Sequence, residues 1–133
     1  MAEVKLNHEE LIKHLRGVQR IAINTCHGGF GLSRKAVLLY LELAGIDYTR
    51  APQQDRDTQN RLGDKIMVDG VEFNSWDIPR DDPALINVIR QLGSESNGEY
   101  AKIKIVEVPP DIDWYVEDYD GKEWVAEKHR TWR

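Results

Sequence analysis

Cysteine is almost absent from this chain of 133 residues. Cys26 stands alone, which excludes an intrachain disulfide and fits a reducing compartment. Long hydrophobic runs are missing too. None approaches the ~18 residues that a membrane span needs, so no contact with a membrane is predicted. Met1 to Asn7 lacks the basic-then-apolar layout of a secretory leader, and the cytoplasm is the expected location. Positive charge is in short supply. The 18 Lys and Arg against 23 Asp and Glu leave a net charge of −5, which argues against a surface for polymeric nucleic acid. A small anion held by a few placed arginines remains compatible with that charge. One cysteine with the scattered His8, His14, His27 and His129 forms no ladder of metal ligands. Neither a metal nor a cofactor is expected. Repeats and heptads are also lacking.

The remaining composition, 41% hydrophobic and 31% charged, is that of a globular chain. Its length fits a single domain over residues 1–133. A chain of this size buries roughly two-thirds of its unfolded surface, so a core without staples is within reach.

Local patterns predict an α+β fold with about three helices and a mixed, mainly antiparallel sheet. Asn7 and Glu10 make a capping-box start, and Leu11, Ile12 and Leu15 follow at helical spacing up to Gly17. Val18 to Asn24 reads as a strand. Ser33 is the cap of a helix from Arg34 to Ala44, apolar nearly all round and so predicted to be central and buried, with Gly45 as its stop. Ile46 to Thr49 is a short strand, and the polar interval Arg50 to Gly63 a long loop. Asp69-Gly70 turns one hairpin, Lys65–Val68 into Val71–Asn74, and Asp120-Gly121 turns a second, Trp114–Asp118 into Glu123–Glu127. Between them, Asp82 caps a helix with Pro83 at its first position and a stripe of Leu85, Ile86, Val88, Ile89 and Leu92, closed by Gly93. Asn97-Gly98 marks a turn, and Tyr100 to Val108 alternates as a strand.

The run Asn24-Thr25-Cys26-His27-Gly28-Gly29-Phe30-Gly31-Leu32-Ser33 stands out between a strand and a helix. A strand, a glycine-rich turn and a helix start is the geometry in which backbone N–H groups hold phosphate, and Arg34 and Lys35 follow at once. The motif matches neither GxGxxG nor the P-loop. A tight loop needing positive φ, with both cations in solvent, accounts for it equally well. Cys26 beside His27 invites a nucleophile and a base, but neighbours in extended chain point to opposite sides, and a small buried thiol explains Cys26 better. Arg80 either pairs an aspartate next to the helix cap or grips phosphate with its fork of donors. Trp124 and Trp132 either stack on a base or pack at a sheet or subunit interface. Arg130, at the chain end, looks like a ligand or partner contact.

Three segments together, NTCHGGFGLS, IPRDDPALINVIRQLGSESNG and EDYDGKEWVAEKHRTW, resemble the small phage proteins of the Thoeris anti-defence sponge family. The terminal segment is the most specific, and Arg50 to Gly63 lies outside the match. The resemblance implies a homo-oligomer in the host cytoplasm that captures cyclic ADP-ribose isomers, or related cyclic nucleotides including cyclic oligonucleotides, without catalysis. Phe30 matches the family's loop aromatic, and Arg80 and Arg130 match arginines of its central and terminal segments. Asn97 and Trp124 fall beside those motifs, and Gly28 and Gly29 lie in the loop. Two other readings stay open: a thiol-dependent hydrolase or nucleotide-cleaving enzyme using Cys26, and an interaction module that inhibits a host protein through its tryptophan-rich end.

Overall fold

Strand β1 (Gln19–Asn24) runs through the middle of the molecule, with Ile21, Ala22, Ile23 and Asn24 all buried. The structure is a computed structural model that describes residues 17–128. The helix expected from Asn7, together with His8, His14, His129, Arg130 and Trp132, lies outside the described residues. After β1 come helix α1 (Arg34–Ala44), β2 (Thr49–Ala51), α2 (Arg56–Leu62), β3 (Lys65–Val68), β4 (Val71–Glu72), α3 (Pro83–Leu92), β5 (Ile103–Val108), β6 (Trp114–Tyr119) and β7 (Lys122–Glu127). The result is a small α+β domain. Every strand pairing among the described residues is antiparallel, and the strands form three small sheets, β1–β5, β2–β3–β4 and β6–β7. Among these residues, no helix is long and apolar enough to cross a membrane.

Local chemistry sets the best-defined elements. Asp82 accepts the N–H of Ala84 ahead of Pro83, and Leu85, Ile86, Val88 and Ile89 turn the buried stripe of α3 toward the core. Full burial of Leu85 or Val88 contributes about 1.5–3 kcal/mol each. Ser33 caps α1 through the N–H of Ala36, and Gly45 ends it in the left-handed region. Both hairpins turn on an Asp-Gly pair with positive φ at both positions, the type I′ geometry that matches strand twist.

Several expectations are corrected. Helix α1 is one-sided, not central: Ala36, Tyr40 and Leu41 are buried, whereas Leu43 is 41% exposed. It packs on α3 along that one face, and Leu38 and Leu39 border a shallow groove with Tyr48 and Leu92. The strand foreseen at Ile46–Thr49 begins only at Thr49, because the N–H groups of Gly45 and Ile46 turn back to close the helix on Glu42 and Leu41. The interval read as a loop contains α2. Asp55 caps it by accepting from Thr58, and none of its residues is buried, so it shows none of the apolar periodicity that marks other helices. The strand expected from Tyr100 starts at Ile103. The backbone before it wraps around the end of β1 instead, with Lys102 N–H on Asn24 Oδ1 and Thr25 N–H on the Lys102 carbonyl.

Candidate functional site

The glycine loop ends in contact with its own chain. A Cβ on Gly28 would lie 1.6 Å from the Tyr100 carbonyl oxygen, and one on Gly121 would lie 2.6 Å from the Gly29 nitrogen. Glycine is therefore required at Gly28 and Gly121 so that three backbone segments can meet. The Gly31 carbonyl accepts the N–H of Gly98 at 2.8 Å.

The two cations after the loop are committed elsewhere. Arg34 donates to the carbonyls of Leu62 (2.6 and 3.0 Å) and Asp64, which places a cation on the last carbonyls of α2, where the helix dipole favours it. Lys35 pairs with Glu95 at 3.3 Å on the surface.

Phe30 and Arg80 do come together. The guanidinium lies 3.7 Å from the centroid of the buried Phe30 ring, a cation–π contact. Arg80 pairs a glutamate, a partner that neither sequence alternative, an aspartate or a phosphate, had named. Its fork closes on Glu123, with Nη1 to Oε1 at 2.5 Å and Nη2 to Oε2 at 2.9 Å, and Nη1 also reaches the Ala22 carbonyl at 3.3 Å. The edge that would hold a phosphate is occupied by a carboxylate. Glu123 Oε1 further accepts the backbone N–H of Asn24 at 2.8 Å. Asn24, fully buried, donates to the carbonyls of Cys26 and Gly121 and accepts from Lys102 N–H. This knot ties β1, the loop and the last hairpin into one joint. Sequence reasoning missed Asn24 and Glu123. The available signal was a polar residue closing an otherwise apolar strand.

Cys26 belongs to the same joint. Its thiol is placed to donate to the Tyr100 carbonyl (3.1 Å) or to Asn24 Oδ1 (3.4 Å), while His27 is exposed. Asn97 makes no hydrogen bond to Asn24, Arg80 or Glu123 among the described residues. It bridges Leu32 backbone to backbone, and its Oδ1 accepts Ile103 N–H at 2.8 Å, setting the start of β5.

Trp124 follows Glu123 on β7 and so points to the other face of the hairpin. Glu117 stands opposite it in register. One Glu117 oxygen accepts Trp124 Nε1–H at 2.9 Å and the other accepts the Tyr115 hydroxyl at 2.6 Å. The carboxylate pushes the Tyr115 hydroxyl pKa above its ordinary value. Trp124 is 43% exposed, and Tyr119, on the same face with Lys122 opposite it, is 72% exposed. The outer face of β6–β7 is thus an aromatic surface whose two ring donors are fixed by one carboxylate. Sequence reasoning picked out Trp124 but not its partners Tyr115 and Glu117, which alternate with the half-buried Trp114 and Val116 along β6. No known protein family, curated protein or solved structure matches this chain.

Proposed function

We propose that this protein is a non-catalytic binder that captures a cyclic ADP-ribose-type signal and leaves its bonds intact, the role that its resemblance to phage anti-defence sponges implies. The observation that carries this reading is the pinned Tyr115–Glu117–Trp124 surface. Rings held by hydrogen bonds lose little freedom when a base stacks on them, and base–aromatic stacking contributes about 1–3 kcal/mol per base. Each Glu117 oxygen keeps a second lone pair able to accept from an exocyclic base amine. Lys122 on the same face supplies a cation for a pyrophosphate. The thiol-hydrolase alternative is weakened by the Cys26 geometry, since both acceptors within reach of the thiol belong to the structural joint.

The deciding experiment is capture and release. The protein is incubated with cyclic ADP-ribose isomers, freed of unbound ligand, heated, and the supernatant analysed. Intact nucleotide supports sequestration. Altered nucleotide points to an enzyme, and an empty supernatant leaves the aromatic hairpin face as a surface for a protein partner. Arg130→Ala is expected to weaken capture while leaving folding largely intact.

A further inference from the structure

A second surface of different chemistry lies between the start of β1 and α3. It is a cleft of about 580 Å³, within the range of small-molecule sites. Pro83, Ile86, Asn87 and Arg90 recur at helical spacing and form one wall, and Arg20 of β1 and Asp81 complete it. Two guanidinium groups therefore line one concavity in a chain whose net charge is −5.

Arg20 is incompletely satisfied. Its Nε is buried and has no hydrogen-bond partner among the described residues. Its cross-strand neighbour Glu107 forms an ion pair with it, 3.9 Å from Nε to Oε1, which is beyond hydrogen-bond distance. Glu107 therefore holds the guanidinium only at ion-pair distance, and an incoming oxyanion would compete with that carboxylate for its exposed donors. The contrast with Arg80, gripped at 2.5 and 2.9 Å by Glu123, is direct. Asn87 uses its side-chain oxygen to accept from Gln91 at 3.0 Å, so its amide hydrogens are the groups it can offer to a ligand. Among the described residues, Asp81 is the one acidic group lining the cleft. Beside a phosphate it would repel, but a carboxylate accepts well from sugar hydroxyls. Pro83 and Ile86 add an apolar strip.

We infer that this cleft binds a ribose phosphate of nucleotide size, with its phosphate oxygens on Arg20 and Arg90, its hydroxyls on Asp81, and its less polar part against Pro83 and Ile86. The inference stands on the cleft alone and does not depend on what the hairpin face binds.

Calorimetric titration of the full chain with ADP-ribose, ribose 5-phosphate and inorganic pyrophosphate tests it. ADP-ribose is expected to bind, more tightly than pyrophosphate because only the former engages Asp81. Arg90→Ala is expected to weaken ADP-ribose at least tenfold, and Arg90→Lys several-fold, because the charge stays but the fork is lost. Arg90 is exposed on α3, so these variants leave the core untouched and their melting temperatures should match the parent. Arg20→Ala should act in the same direction, and Arg61→Ala, removing an exposed arginine of α2, should change nothing. No heat with any of the three probes overturns the inference. So does ADP-ribose binding that survives Arg90→Ala and Arg20→Ala, which would assign the ligand to another face. Neither result touches capture and release of cyclic nucleotide at the hairpin.

Discussion

Arg80 and Glu123, 43 residues apart in the chain, meet fork to fork with side chains only 18% and 9% exposed. The pair joins the segment before α3 to the last hairpin, and the Phe30 ring supports the guanidinium. Removing one member leaves the other charge without its partner in a poorly hydrated place. Breaking such a pair costs about 3–5 kcal/mol. Glu123→Gln and Arg80→Met are each expected to lose stability on this scale in urea unfolding. The double substitution should lose less than the sum of the two. Equal additivity would mean that the two side chains do not act as a pair.

Gly28 and Gly31 lie three residues apart and make opposite predictions. An added methyl at Gly28 meets the Tyr100 carbonyl, whereas at Gly31 it meets nothing within 4 Å. Gly28→Ala should therefore cost about 1–3 kcal/mol or more, and Gly31→Ala should be close to neutral. Thermal melts of both variants decide it. A tolerated Gly28→Ala would show that the loop is not tightly apposed to Tyr100.

Tyr40 and Asp82 couple α1 to α3 and give the fold an alkaline limit. The tyrosine hydroxyl donates to Asp82 Oδ2 at 2.7 Å. Burial, then that hydrogen bond and the carboxylate's charge, push its pKa from 10.0 up to about 12. Because the folded value lies above the unfolded one, the stabilisation is fully present below pH 10 and is lost as pH rises toward about 12. Urea midpoints measured at pH 9 and upward should fall across that window in the parent. In Tyr40→Phe the fall should be smaller, with a constant deficit of about 1 kcal/mol at neutral pH.

Asp55 holds the first turn of α2, a helix with no buried residue. Its carboxyl is lowered in pKa, chiefly by the Thr58 backbone N–H and then by the Thr58 hydroxyl. Asp55→Ala should destabilise α2 locally, because the first turn loses its cap. Amide exchange should accelerate in Arg56–Leu62 while α3 keeps its protection. Uniform acceleration across both helices would refute this local role.

Trp124→Ala should leave the fold intact, since the ring is 43% exposed and lies on the outer face. Loss of one stacking partner predicts a roughly five- to hundredfold weaker capture of cyclic ADP-ribose. Unchanged affinity in a folded variant would remove the hairpin face from the proposed site.

Where structure is short-range, the amino-acid order alone was enough. Ser33 and Asp82 as caps, Gly45 and Gly93 as stops, the stripe of α3 and both Asp-Gly turns are all set by contacts within a few residues. Helix α2 escaped because its only signals are a cap and a terminal glycine, and it is tied down by Arg34 from another element. The roles of Phe30, Arg80 and the loop glycines were decided by partners distant in the chain: Glu123, Tyr100 and Gly121. A glycine that approaches a phosphate and one that approaches a carbonyl of its own chain look alike in one dimension. So do an arginine that grips a ligand and one that grips a glutamate. Only packing distinguishes them, because which oxygen fills a guanidinium fork depends on what long-range folding brings within hydrogen-bond reach. By the same physics Arg20 and Arg90, unremarkable in the sequence, came to share a cleft.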